Sequence, residues 1–274
     1  MNRPLLLLIA LQVSISLSAQ SMATYRKLRP AEAAFLNRVH SMLSAVVPHS
    51  FYNWTTDQDG DDFDALKLWC ENPKSADDHL GYCPVSLGKS EPYSVKYEIE
   101  FRMPDRQSKA LLLNAYKTIT DFNSTDQIAG ALKSTAVTWL RISIVTNVLP
   151  GTINKLSYCA KMQPSQIALP VPATLAVMGL HSDACPIMLS GKVDMTGDYY
   201  DDAVIILGKP VIKKALEQRP DGLMEADYST GFDRSKINHY TTQNIAITIH
   251  GDAADINVAM KLIDWKKLYS LIAK

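Results

Sequence analysis

The chain has no surplus of positive charge: Lys and Arg total 28, and so do Asp and Glu. Nucleic-acid binding needs clustered Lys and Arg to neutralise phosphates, so this balance argues against such a partner. Nor is there a polybasic cluster of the kind that holds anionic membranes. Long apolar runs are absent beyond the first nineteen residues, so no stop-transfer segment is expected after them. The common catalytic signatures are missing too. There is no Gly-x-Ser-x-Gly elbow, no Gly-rich phosphate loop, no His-Glu-x-x-His and no Cys-x-x-Cys. These absences count against the main catalytic templates but do not reach sites whose residues converge only in space. Cysteine is scarce, with four in the chain, and none follows the first apolar segment closely enough to become a lipid-modified N-terminus.

The N-terminal segment itself is informative. Arg3 supplies a positive charge, Leu5 to Leu11 form an apolar core, and Ser16, Ser18 and Ala19 offer small residues to a peptidase. This is the three-part pattern of a cleaved signal peptide, too short for a spanning helix. The expected organisation is a signal over residues 1–19 and one domain over 20–274. If that domain has two lobes, the Pro-rich stretch near 163–172 is their boundary. Export places the mature chain outside the cytoplasm, where disulfides form. Cys70, Cys83, Cys159 and Cys185 allow three pairings. The local one, Cys70–Cys83 with Cys159–Cys185, is preferred because each pair brackets a turn-rich segment. The same compartment argues against a zinc site built from Cys70, His79 and Cys83.

Periodicity gives the elements. Phe35, Leu36, Val39, Leu43 and Val47 recur at helical spacing behind Pro30, predicting a helix over 30–47. Tyr93, Val95, Tyr97, Ile99 and Phe101 alternate with polar residues, predicting a half-buried strand over 93–103. A helix over 106–121 should turn Leu112, Tyr116 and Ile119 inward, and a short one over 125–133 should be capped by Ser124 or Thr125. Strands are expected over 136–148, 152–162, 173–180, 186–190 and 203–207, with a shorter one around 64–69. Pro210 is expected to open a helix reaching Arg219, and 220–242 reads as loop. Ile245, Ile247 and Ile249, then Ile256, Val258, Met260 and Leu262, alternate on either side of His250-Gly251-Asp252, which reads as a hairpin turn. Asp264 should cap a last helix carrying Trp265, Leu268 and Ile272. The sum is an α+β domain with a mostly antiparallel sheet and flanking helices.

Two segments could hold a ligand. Asp57, Asp59 and Asp61, with Asp62 and Asp64, crowd around Gly60, and carboxylates on a flexible turn suit Ca²⁺. The EF-hand spacing fails, because Leu66 falls where the bidentate Glu belongs, so the favoured reading is a solvated acidic loop. A second acidic group, Asp194, Asp198, Asp201 and Asp202, surrounds Tyr199 and Tyr200. Phe51, Tyr52 and Trp54 would suit a sugar or peptide if exposed, although aromatics are more often core. His181, Asp183 and Cys185 are read as a loop ending in a disulfide rather than a nucleophile pair. Asn53-Trp54-Thr55 and Asn123-Ser124-Thr125 match the glycosylation acceptor pattern. No catalytic set can be assigned. The expectation is an exported soluble protein that binds a ligand or an envelope partner, or serves structurally there, without catalysis. The alternative is an extracytoplasmic hydrolase, possibly assisted by a metal, drawing on the Asp clusters.

Overall fold

Helix α1, Pro30–Ser44, shows how the pattern becomes structure. Pro30 opens it, and the Glu32 carboxylate reaches back to accept the Arg29 N–H at 2.7 Å. The other Glu32 oxygen accepts the Tyr93 hydroxyl at 2.8 Å, so this buried acid ties the helix start to the sheet. Ala33, Phe35, Leu36, Val39 and Leu43 form its buried stripe. The computed structural model describes residues 29–57, 92–124, 127–128, 131, 137–147, 153–159, 164–182, 199–208, 211–218, 223–231, 238 and 240–272. The predicted signal and the strands expected at 64–69 and 186–190 lie outside the described residues.

Among the described residues ten strands follow the order of the chain: β1 Thr55–Asp57, β2 Val95–Arg102, β3 Trp139–Thr146, β4 Ile153–Cys159, β5 Ser165–Gln166, β6 Ala173–Ser182, β7 Tyr199–Gly208, β8 Val211–Gln218, β9 Leu223–Gly231 and β10 Asn244–Gly251. Seven form one sheet in the order β1-β2-β3-β10-β7-β6-β5, and β4-β9-β8 form a second. Every ladder between named strands is antiparallel. With helices α2 Asp105–Lys117, α3 Ala253–Leu262 and α4 Trp265–Tyr269, the architecture is α+β. Among the described residues no helix is long and apolar enough to cross a membrane.

The core lies under one face of the large sheet. Tyr97, Ile99 and Phe101 of β2, Leu140, Ile142 and Ile144 of β3, and Ile245, Ile247 and Ile249 of β10 are buried there with residues of α1, α3 and α4. Burying one such side chain fully is worth about 1.5–3 kcal/mol, so these three strands carry the largest apolar share. Strand β7 is buried on both faces: Ala203, Ile205 and Leu207 turn to the core, and Val204 and Ile206 are buried on the other side. That is why its sequence reads as a continuous apolar run rather than an alternation.

Several expectations are corrected. Residues 211–218, expected as a helix from Pro210 to Arg219, form β8, and β9 occupies 223–231 within the expected loop. The two pair from Val211↔Gly231 to Gln218↔Met224. Pairing in a sheet overrides the helix preference of Lys, Leu and Glu in β8. The expected hairpin over 244–263 is instead a strand followed by a helix. Ile256, Ala259, Met260 and Ile263 are buried at i, i+3, i+4 and i+7, while Leu262 is 51% exposed. The alternation and the helical spacing share Ile256 and Met260, and capping decides between them. Asp252 accepts the Ala254 N–H at 2.8 Å, and Asp201 accepts the Ala253 N–H at 3.1 Å. Helix α2 forms where expected, but none of its residues is buried; Ile119, just past its end, is. Asp264 caps α4 as expected, accepting the Lys267 N–H at 3.0 Å. Residues 127, 128 and 131 are helical, with the Gln127 N–H on the Ser124 hydroxyl at 3.4 Å.

Candidate functional site

The ladder register lines up polar residues across the large sheet. Glu100 faces Arg141, Arg141 faces His250, and His250 faces Asp202. Directly opposed residues share a face, and this face is the one turned away from the helices. Arg141 donates to Glu100 through Nε at 2.8 Å and Nη2 at 2.6 Å, and Glu98 lies 3.8 Å from its Nε. Burial of Glu98 alone would raise its pKa, but Lys96, Arg141 and Ser143 outweigh that and hold the carboxyl below its ordinary value. The two glutamates in turn overcome partial burial of Arg141 and push its pKa up. At the other end of the row, His250 Nδ1 bonds Asp202 Oδ1, and the Asp202 side chain is only 3% exposed. Tyr200 sets its ring edge-on to His250, with centroids 5.7 Å apart, and packs on Trp139 at 5.3 Å.

A buried carboxylate on a half-buried imidazole is one part of many acid–base sites, because it fixes the ring's orientation and tautomer. Here the cations of the row are matched by carboxylates. Among the described residues no three His, Cys, Asp or Glu side chains gather as a metal site. The row is a charged seam along the sheet face turned away from the helices.

The cleft is on the opposite face. Ser165 and Gln166 pair with Met178 and Val177, Ile167 donates its N–H to the Ala176 carbonyl at 2.9 Å, and the chain then leaves β6 through Pro170 and Pro172. Between this segment and the α3–α4 junction runs a groove of about 610 Å³. Its apolar lining includes Ile167, Leu169, Met178, Met260, Ile263 and Trp265. The junction is pinned: the Trp265 indole N–H donates to the Met260 carbonyl at 2.6 Å, and the Asp264 N–H to the Val46 carbonyl at 2.9 Å. Lys261 and Lys266 reach the groove from the last turn of α3 and the first turn of α4. Ala203, opposite Met178 in the ladder, faces the core, whereas Asp202 faces away, so groove and His250–Asp202 pair are separated by the sheet.

The sequence-predicted sites fare differently. Asp57 ends β1; Asp59, Asp61, Asp62 and Asp64 lie outside the described residues. So do Cys70, His79, Cys83, Asp183, Cys185, Asp194 and Asp198, while Cys159 is the last residue of β4, opposite Leu223. Of the second acidic group, Asp201 caps α3 and Asp202 holds His250. Phe51 and Trp54 are core, packed edge to face at 5.3 Å, which removes them as an exposed platform; only Tyr52 stands out, 62% exposed. His250-Gly251-Asp252 is a strand-to-helix junction rather than a hairpin turn. The groove was missed because 163–172 reads as a break; its signal was the apolar, Pro-punctuated run Ile167 to Pro172. No family model matches the chain, and neither a curated protein nor a solved structure is found to resemble it.

Asp255, in the first turn of α3, gives a pH test. Burial, then the neighbouring Asp252, raises its pKa, against a smaller lowering by the Tyr52 hydroxyl. A carboxyl whose folded pKa lies above its unfolded value binds more protons in the native state, so stability falls as pH rises through that interval. Asp255→Asn should therefore raise the midpoint of thermal unfolding slightly at pH 7, with the gain shrinking towards pH 4. The group is partly exposed, and solvent screening keeps the effect small. A variant less stable at pH 7 than at pH 4, relative to the parent, would contradict this account.

Proposed function

We propose that this is an exported, non-catalytic binding protein that holds a small ligand in the groove between residues 165–170 and the α3–α4 junction. The groove carries the reading: its volume of about 610 Å³ falls within the ~300–1,000 Å³ of small-molecule sites, and its mixed lining, apolar with a few polar groups, is what such sites use. The signal pattern over residues 1–19 supports a place outside the cytoplasm. The His250–Asp202 pair favours the alternative, a hydrolase, but it sits across the sheet from the cleft that would receive a substrate.

Native mass spectrometry of protein recovered from its own host tests both parts. The expected species begins at Gln20 and carries a small molecule that Ala168→Trp, on the exposed lip of the groove, expels. Intact Met1 in a membrane fraction would overturn the export reading. Ligand retained at full occupancy by the Trp variant would overturn the groove. Turnover of that molecule, abolished by His250→Gln, would establish the hydrolase instead.

A further inference from the structure

Resting on the reading of the groove as a ligand site, we propose that its occupant is an amphipathic organic anion: an apolar chain or ring system ending in a carboxylate, sulfonate or similar head. The argument is one of unmatched charge. Lys261 and Lys266 both line the groove and are both exposed, and among the described residues neither has a carboxylate within ion-pair distance. On the far face of the sheet, by contrast, Lys96 is paired with Glu98 and Arg141 with Glu100.

One acid shares the rim. Asp264 also lines the groove, but its Oδ1 accepts the Lys267 N–H as the cap of α4, which fixes its position and engages that oxygen. Two cations against one engaged carboxylate leave the rim net positive. The wall between them is apolar: Ile263 and Trp265 separate the two lysines in sequence and are buried, and Leu169, Ile167 and Met178 lie within the same groove. A neutral ligand would leave the two ammonium groups without a partner as it displaced water from the wall. A cationic ligand would be repelled. A molecule with an apolar body and one negative end satisfies both features, with the body excluded from water and the head held by charge-assisted hydrogen bonds. Lysine suits this task as a flexible point charge that accommodates more than one head geometry.

Isothermal titration of the mature chain, stripped of any bound molecule, with decanoate, decanol and decylammonium, each below its micellar concentration, separates the components. Decanoate is expected to bind at least tenfold more tightly than decanol, with decylammonium weakest. The double substitution Lys261→Gln and Lys266→Gln should cost decanoate tenfold or more and leave decanol unchanged. Its melting temperature should match the parent's, since both side chains are exposed. Raising the salt should weaken decanoate binding and spare decanol. Equal binding of decanoate and decanol, or a double variant that keeps full decanoate affinity, would overturn the anion inference while the groove remained a ligand site. Decanoate that binds the Ala168→Trp variant as tightly as the parent would instead place the binding elsewhere and remove the groove itself.

Discussion

Asn147→Ala is expected to destabilise the protein by about 3–6 kcal/mol, a large share of a net stability of ~5–15 kcal/mol. Asn147 follows β3 and is fully buried. Its side-chain amide donates to the Tyr93 carbonyl at 2.7 Å and the Thr241 carbonyl at 2.8 Å, and its Oδ1 accepts the Gln243 N–H at 2.7 Å. Three backbone groups from two distant segments thus depend on one side chain, and each would be left without its partner at a cost of about 1–3 kcal/mol. Asn147 also has φ 52°, in the left-handed region that Ala tolerates poorly. Asn147→Gly separates the two effects, because Gly accepts that φ but makes none of the bonds. Urea unfolding should rank the parent above Gly and Gly above Ala. A Gly variant as stable as the parent would show that the hydrogen bonds contribute nothing.

Gly208→Ala should cost about 2–6 kcal/mol, combining backbone strain with overpacking. Gly208 ends β7 with φ 97°, and a Cβ there would sit 2.3 Å from the Gln243 carbonyl oxygen and 3.1 Å from the Asn244 Cα. Both atoms are backbone in a strand register that runs Asn244↔Gly208, so neither can swing aside as a side chain would. Gln243 is therefore held from two sides, its N–H by Asn147 and its carbonyl, in the next peptide group, by the close approach of Gly208. Damage at either site loosens the same residue, so the double variant should lose less than the two single losses added together. Strict additivity in urea midpoints would show that the two contacts act independently.

How much of this was legible in the sequence depended on which force set each element. β2 is visible because Tyr97, Ile99 and Phe101 face the core while Lys96, Glu98 and Glu100 face water. α1 is visible because its stripe is regular and Pro30 marks its start. Residues 211–218 mislead because Lys213, Lys214 and Glu217 favour a helix locally, and only pairing with β9 makes them a strand. β9 itself carried a usable signal, Met224, Ala226, Tyr228 and Thr230 at alternate positions, hidden among polar neighbours. Neither candidate site could be read locally. His250 meets Asp202 across a ladder, 48 positions apart, and Lys261 meets Leu169 across a groove between segments about ninety positions apart. Register and packing bring them together, and no spacing rule records either.

The order of strands also bears on when the large sheet can close. β10, the last strand among the described residues, fills the middle of the large sheet, with β3 on one side and β7 on the other. Its first contact with β3, Ile245 on Thr146, joins positions about a hundred residues apart. Until β10 is available, β1-β2-β3 and β7-β6-β5 are two fragments with bare inner edges and no shared core. Such long-range closure is slow, because the entropy of looping precedes any contact that rewards it. A chain built this way keeps its large sheet in two halves until β10 is inserted between β3 and β7.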